Sequence, residues 1–152
     1  MAIGWGTGNK IWEGSRLVNS HRGISTTEGY KYMVLIVNHD RSFRKLLYTL
    51  FKNGGGFHSC VEARNGVEAI AKTKQLLPCL AILDSSMPEM NGFELARELK
   101  AISPELPIFM MTDENDLEVE KEALSGGITA VFSKLDDLSS LVANARAVCG
   151  IE

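Results

Sequence analysis

The chain has 152 residues, of which 45% are hydrophobic and 23% are charged, and its formal net charge is −3. This length and composition predict one globular domain with a sizeable buried core. Nucleic acid and anionic membranes are not expected as main partners, because either would require a basic face. No apolar run approaches the roughly 20 residues that a membrane-spanning helix needs.

The three cysteines, Cys60, Cys79 and Cys149, show neither zinc-ligand nor redox-motif spacing. We therefore expect three buried, small apolar side chains, and this cysteine usage favours a reducing, cytoplasmic compartment. No charged start precedes an apolar block at the N-terminus, so no signal peptide is expected.

Residues 1–30 are rich in Gly, Ser, Thr and Asn, and their apolar residues follow no sustained period. They are predicted to form an irregular N-terminal arm with at most one short helical turn, ahead of a domain at 31–152. The arm could be a genuine extension, a translated upstream stretch or sequence added by cloning, and Met33 could be a natural start. An arm that contacts a partner through Trp5 and Trp12 is the alternative to a plain flexible arm.

From Tyr32 onward, short apolar runs alternate with stretches of helical periodicity. The runs predict five strands, at about 33–37, 57–63, 80–83, 107–111 and 130–133. Five helices are predicted to follow them, the first capped by Ser42. This alternation predicts an α/β fold in which a doubly wound parallel sheet carries helices on both faces.

Polar residues follow four of the predicted strands: Asn38, His39 and Asp40 after the first, Asp84 after the third, Thr112 after the fourth and Lys134 after the fifth. Ligands of open parallel sheets bind at this edge. The set suits phosphoryl transfer, in which Asp84 is the nucleophile and a divalent ion neutralises the phosphoryl oxygens. Lys134 would add positive charge and Thr112 a hydrogen bond.

The motif LDSSMPEMNG at 83–92, with Thr112 and Lys134 at later strand ends, resembles the receiver domain of two-component response regulators. The resemblance extends from Tyr32 to about Gly150 and includes NGVEA at 65–69. It implies a flavodoxin-like sheet of order 2-1-3-4-5 and no enzymatic activity beyond the domain's own phosphorylation and dephosphorylation.

The resemblance also implies a function and a metal. Asp84 would accept a phosphoryl group from a histidine kinase or phosphotransfer protein. A downstream protein would then bind the face of the fourth helix, fifth strand and fifth helix. Mg²⁺ would be held by Asp84, the backbone carbonyl of Ser86, and the residues after the first strand, Asn38, His39 and Asp40.

The chain departs from the family at those last residues, where receivers normally carry two acidic side chains. Asn38 lacks the charge, and His39 offers nitrogen, whereas magnesium prefers oxygen. Asp40 lies one residue further on and could reach the ion through a water molecule. We therefore expect weak magnesium binding and slow or absent phosphorylation; a softer ion bound through His39 is an alternative.

Two further departures concern signal output. Leu135 replaces the usual proline after the lysine, so a trans peptide bond is expected there. Val131 occupies the position of the usual switch aromatic, and the adjacent Phe132 is expected to face the other side of the strand.

Other interpretations stay open. Asp84 could be a turn residue, Thr112 a helix cap and Lys134 a solvated lysine. The chain could be a degenerate receiver that acts as a constitutive protein-interaction module. A small flavodoxin-like enzyme or nucleotide binder is the remote alternative, because no glycine-rich phosphate loop follows the first strand. Gly92 is expected to serve only a turn or a close backbone approach.

Overall fold

The computed structural model describes residues 10–13, 16–19, 32–54, 56–113, 117–134 and 138–151. Two short strands, β1 (Lys10–Glu13) and β2 (Arg16–Asn19), pair antiparallel near the N-terminus. The arm predicted to be irregular thus contains a hairpin. The other residues of 1–30, including Trp5, lie outside the described part of the chain.

A five-stranded parallel sheet forms the centre of the domain. Its strands are β3 (Met33–Val37), β4 (Ser59–Ala63), β5 (Leu80–Asp84), β6 (Ile108–Thr112) and β7 (Ala130–Ser133). The spatial order is β4-β3-β5-β6-β7, which is 2-1-3-4-5 when the sheet strands alone are counted. Every residue of β3, β5 and β6 is buried, which explains their continuous apolar sequences. The predicted fold class is confirmed.

Five helices cover the sheet in the described part of the chain: α1 (Arg41–Gly54), α2 (Gly66–Leu76), α3 (Gly92–Ile102), α4 (Leu117–Ser125) and α5 (Leu138–Cys149). Alternate strand residues point to opposite faces, so two apolar cores form. Leu35 and Leu83 pack with residues of α2, α3 and α4. Ile36 and Ile82 pack on the other face with residues of α1 and α5.

The starts of the first three helices are capped by side chains. Asp40, rather than the predicted Ser42, caps α1: its Oδ1 accepts a hydrogen bond from the Ser42 amide at 2.9 Å. The helix begins at Arg41, so the residue before it is in the capping position, where Asp is as effective as Ser. Asn65 caps α2, and Asn91 forms a reciprocal capping box with Glu94 at the start of α3.

The C-terminal strand β7 sends neighbouring side chains to opposite faces. Val131 packs against the core under α2, α3 and α4, whereas Phe132 joins the core under α1 and α5. There Phe132 meets Phe109 with ring centroids 5.0 Å apart. The prediction that Phe132 faces away from the Val131 side is confirmed. No described helix combines the length and apolarity needed to cross a bilayer.

Candidate functional site

Asp84 ends the central strand β5 at the carboxyl edge of the sheet and is only 1% exposed. Its Oδ1 accepts a hydrogen bond from the Ser86 amide at 3.2 Å and lies 3.1 Å from Lys134 Nζ. A buried carboxylate must be paired to remain charged, and Lys134 supplies that pairing.

Lys134 follows β7, two strands away from β5. Its backbone amide donates to the Thr112 carbonyl at 2.8 Å, which fixes the start of the side chain at the sheet edge. The side chain crosses the end of β6, and Nζ also lies 3.3 Å from Asp113 Oδ1 and 5.4 Å from the centroid of the Phe43 ring. The ammonium is therefore held between two carboxylates, with an aromatic ring nearby.

Thr112 ends β6 beside Asp84 and is 4% exposed. Asp84 is paired with Met111 across the β5–β6 ladder, so Thr112 lies one residue beyond that pair. The fold thus brings three of the predicted site residues, Asp84, Thr112 and Lys134, to one edge.

His39 lies on the other side of Asp84. Its Nδ1 is 3.4 Å from Asp84 Oδ2, while half of its side chain is exposed. Oδ2 is buried and accepts no hydrogen bond from the described residues, so the 3.4 Å contact is an electrostatic approach and not a hydrogen bond.

Asn38 is buried directly after β3. Its side-chain oxygen accepts a hydrogen bond from the Asp40 amide at 2.8 Å, an Asx-type turn. Its Nδ2 has no hydrogen-bond partner among the described residues. Arg44 donates from Nη1 to the Asn38 carbonyl at 2.8 Å and from Nε to Glu62 Oε1 at 3.0 Å. This clamp ties the loop after β3 to the neighbouring strand β4.

The loop after β5 depends on Gly92. A Cβ at this position would lie 2.4 Å from the Asp84 carbonyl oxygen and 2.7 Å from Met110 Sδ. The Gly92 amide donates to the Ser85 carbonyl at 3.1 Å, which folds the loop back on the strand end. The expectation of close backbone approach is confirmed. Within the same loop, Glu89 adopts a left-handed conformation with φ 68°.

A family model for the response regulator receiver domain matches residues 34–146. The chain belongs to this family. The chemotaxis protein CheY of Thermotoga maritima is 33% identical over 94 residues, which are 62% of this chain and 78% of that protein. The structure of the Vibrio cholerae chemotaxis protein CheY4 matches with a TM-score of 0.70 and 27% identity, and covers 77% of this chain and 98% of that one.

Longer regulators also match the receiver. The transcriptional regulatory protein ZraR of Klebsiella oxytoca is 31% identical over 109 residues, which are 71% of this chain but only 24% of that protein. This receiver spans about half or less of the length of several other curated relatives. In this family, phosphorylation on an aspartate, magnesium at an acidic pocket, and interaction with histidine kinases and downstream effectors are general. Receivers are generally signalling domains rather than enzymes.

The residues of this receiver fit a magnesium ion poorly. The Asn38 side-chain oxygen already accepts a hydrogen bond from the Asp40 amide, and Asp40 Oδ1 accepts one from the Ser42 amide at the start of α1. Within the described ranges, no three His, Cys, Asp or Glu side chains come together as a metal site. Asp84 Oδ2, which is buried and accepts no hydrogen bond from the described residues, stays a predicted oxygen ligand, as does the Ser86 carbonyl. His39 adds only nitrogen, which magnesium does not favour.

Four further side chains shape this site. Asp113 and Phe43 flank Lys134, and Arg44 with Glu62 holds the loop after β3. Asp113 directly follows Thr112, so the sequence already places it at the strand end and close to the site, whereas Phe43, Arg44 and Glu62 were not assigned to the site from the sequence. Arg44 and Glu62 are 18 residues apart on different elements, and no local pattern marks such a pair. Leu135 lies outside the described residues.

Proposed function

We propose that this receiver accepts a phosphoryl group on Asp84 within a phosphorelay, with less help from magnesium than a receiver that keeps its acidic pair. The observation that supports the proposal best is the 3.1 Å contact between Lys134 Nζ and the buried Asp84 Oδ1. This places a fixed positive charge where the oxygens of an incoming phosphoryl group would gather negative charge.

The donor in this proposal is a phosphohistidine of a histidine kinase or phosphotransfer protein. A carboxylate oxygen of Asp84 attacks phosphorus, an O–P bond forms and the P–N bond breaks, and the donor imidazole leaves with the electron pair. Lys134 stabilises the phosphoryl oxygens, and the Thr112 hydroxyl donates a hydrogen bond to one of them. Such a transfer depends mainly on positioning and charge.

Phosphorylation by a small donor is expected to be slow. The charge that a well-held magnesium ion would supply is reduced, because Asn38 and His39 replace the acidic pair. His39 Nδ1 lies 3.4 Å from Asp84 Oδ2, so the imidazole occupies the side of the carboxylate where oxygen ligands would be needed. A protein donor that brings its own positive groups would be less affected.

The output in this proposal is a change in the protein-binding face formed by α4, β7 and α5, which a downstream protein reads. Val131 is not aromatic and so cannot act as an aromatic switch. The Phe132 ring packs against Phe109 in the core on the opposite face of the sheet. The signal would pass through Thr112 and Lys134, whose backbones are joined at the ends of β6 and β7. The cysteine content leads us to place the protein in a reducing, cytoplasmic compartment.

A second candidate function is a constitutive protein-interaction module. The contact between His39 and Asp84 favours this candidate. Both oxygens of the unphosphorylated Asp84 already face a nitrogen group, one from His39 and one from Lys134. In that case the domain would hold one surface conformation permanently.

Intact-mass measurement with an acyl phosphate donor, with and without Mg²⁺, tests the proposal. The expected result is a slow gain of one phosphoryl group that changes little with magnesium and disappears in Asp84→Ala. Asp113→Ala removes a nearby carboxylate while Asp84 remains, so this control should still gain the phosphoryl group. A chain that stays unlabelled by acyl phosphates and by phosphorylated histidine proteins would contradict the proposal. Partner binding unchanged by Asp84→Ala would then favour the constitutive module.

A further inference from the structure

Two cysteine side chains that the phosphoacceptor site does not use meet on the other side of the domain. Cys79 immediately precedes β5, and Cys149 is the last residue of α5. Their sulfur atoms lie 2.7 Å apart, and the Cys149 thiol also lies 3.5 Å from the Cys79 carbonyl oxygen. Neither is part of a disulfide, and both are partly exposed.

The fold holds both thiols in place. The Cys79 amide donates to the Met33 carbonyl at 2.9 Å, which fixes the start of β5 against β3. Leu141 and Ala145 of α5 are fully buried against the same face of the sheet. The two cysteines are 70 residues apart in sequence, so this contact is made by packing and not by a local motif.

The third thiol provides an internal comparison. Cys60 lies in β4, and β3 separates β4 from β5. Two strand spacings amount to roughly 10 Å, which is beyond the reach of a disulfide between unmoved backbones. The spacing therefore disfavours a Cys60–Cys79 bond, and the sulfur–sulfur contact that the described residues make is the one between Cys79 and Cys149.

We propose that Cys79 and Cys149 are a site of oxidative modification, at which a peroxide converts the two thiols to an intramolecular disulfide that ties α5 to the start of β5. One thiolate attacks a peroxide oxygen and becomes a sulfenic acid, with loss of water once the leaving hydroxide is protonated. The second thiol displaces the sulfenic hydroxyl as a second water, and the S–S bond forms. The two sulfurs lose two electrons to the peroxide, and a low-molecular-weight thiol reverses the change.

Raised pKa values make the Cys149 and Cys60 thiols slow to react with peroxide. The hydrogen bond with Cys79, together with burial, raises the pKa of Cys149 well above its ordinary range. Burial raises the pKa of Cys60 to about 11. Because the thiolate is the reactive form, initial attack is slow, and selectivity comes from the second step. A sulfenic acid at Cys79 or Cys149 has a thiol beside it, whereas one at Cys60 does not.

This modification would leave Asp84 chemically unchanged. Cys79 and Asp84 lie at opposite ends of β5, roughly 17 Å apart at the rise of an extended strand. The inference therefore does not rest on the proposed phosphorylation, and either can fail without the other. What the disulfide would change is the freedom of the C-terminal end of α5.

The full chain treated with hydrogen peroxide tests the site. Remaining thiols are alkylated under denaturing conditions, and intact mass and tryptic peptides are measured. The expected product has lost two hydrogen atoms and keeps one alkylatable thiol, at Cys60. Trypsin places the three cysteines in separate peptides, so a linked pair containing Cys79 and Cys149 identifies the bond. The midpoint of thermal unfolding should rise by roughly 5–15 °C.

Single variants provide matched controls. Cys60→Ser should form the same disulfide, whereas Cys79→Ser and Cys149→Ser should not. Urea-unfolded wild-type chain, in which packing no longer favours one pair, should also form linked peptides that contain Cys60. The proposal is overturned if folded chain gives linked peptides that contain Cys60, if only disulfide-linked dimers form, or if unfolded and folded chains give the same mixture of linked peptides. The identity of the linked peptides from wild-type protein tests the proposal even if one of the variants fails to fold.

Discussion

His39 Nδ1 lies 3.4 Å from Oδ2 of Asp84, while Lys134 Nζ lies 3.1 Å from the other oxygen of the same carboxylate. Each oxygen of the aspartate thus faces a nitrogen group. In a receiver with two acidic residues after the first sheet strand, carboxylates would lie on the His39 side and attract a cation. Here an imidazole lies on that side instead, so less of the charge on an incoming phosphoryl group would be neutralised by a bound cation and more by Lys134.

Replacing His39 with aspartate should restore magnesium dependence. In His39→Asp, a second carboxylate would lie beside Asp84 Oδ2, and oxygen is the ligand that magnesium prefers. We expect labelling by an acyl phosphate to become on the order of tenfold faster with Mg²⁺ than without it. Time courses of intact mass, with and without EDTA, measure the effect.

The control for this change is His39→Asn, which removes the imidazole and adds no charge. It should leave labelling nearly independent of magnesium. If His39→Asn gained as much magnesium dependence as His39→Asp, steric blockage by the ring would explain the wild-type behaviour, and the argument from ligand chemistry would be wrong.

The sheet edge could be predicted from the sequence because buried parallel strands read as continuous apolar runs. All the runs end at the same edge of the sheet. The sequence alone therefore assigns the residues after them to one site: Asp84, Thr112 and Lys134. The order of the strands came from the resemblance and not from these patterns. Cap positions were less certain: Ser42 and Asp40 are both good caps, and only the observed start of α1 decides between them.

Contacts between distant elements could not be predicted. The Arg44–Glu62 clamp and the Cys79–Cys149 contact join residues that are 18 and 70 positions apart, and each depends on side-chain packing. The hairpin near the N-terminus is a different case. Its two strands flank Gly14-Ser15, and a two-residue Gly-Ser link between short runs is a known hairpin signal.

Asp113→Asn should speed phosphorylation of Asp84. Asp113 Oδ1 lies 3.3 Å from Lys134 Nζ, so Asp113 competes with Asp84 for the positive charge of Lys134. The competition is weakened by solvent, because 66% of the Asp113 side chain is exposed. Removing that negative charge should raise the labelling rate by roughly 2- to 5-fold, the range for an exposed ion pair. The gain should shrink at high salt, because screening weakens exposed charges.

Glu98→Gln is the matched control, since it also removes one exposed negative charge. Glu98 lies on α3, and its side chain makes no hydrogen bond or ion pair within the described ranges. It should not alter the labelling rate. An equal gain in Glu98→Gln would point to net charge rather than to the contact with Lys134.

Variants of Asp40 separate a capping role from a metal role. Asp40→Ala should cost about 1 kcal/mol in the free energy of unfolding, because the amide of Ser42 loses its acceptor. Asp40→Ser should recover most of that loss, since serine caps helices well. Urea denaturation measures both. If Asp40 also bound magnesium through a water molecule, Asp40→Ser would reduce the effect of magnesium on the labelling rate even though the variant is nearly as stable as wild type. We expect Asp40→Ser to leave the effect of magnesium unchanged.

Gly92→Ala should destabilise the domain strongly. The added methyl group would meet the Asp84 carbonyl oxygen at 2.4 Å and the Ser85 Cα at 2.9 Å, and backbone atoms cannot easily move aside. We expect a loss of roughly 2–4 kcal/mol in the free energy of unfolding. Gly54→Ala is the control, because a methyl group there meets no atom within 4 Å. Since Gly54 lies in a helix, that change should be neutral or stabilising by up to about 1 kcal/mol. Similar losses in the two variants would contradict the argument from close approach.

Glu62→Gln should make stability less dependent on pH. Burial alone would raise the pKa of Glu62, but the hydrogen bonds and positive charges of Lys45 and Arg44 outweigh it and hold the pKa below its ordinary value of 4.5. A lowered folded-state pKa means that the carboxylate stabilises the fold above the unfolded-state pKa, and that this stabilisation is lost as the pH falls through the folded-state pKa. At neutral pH the variant should therefore be less stable by about 1 kcal/mol.

Below pH 4.5 the difference between wild type and Glu62→Gln should shrink toward zero, because protonated Glu62 no longer attracts Arg44 and Lys45. Urea denaturation across this range measures it, with Glu98→Gln as the variant that should stay within about 0.5 kcal/mol of wild type at neutral pH. A difference that persisted unchanged in acid would mean that Glu62 stabilises the domain by packing and not by its charge. In that case Arg44 would hold the loop after β3 through the Asn38 carbonyl alone.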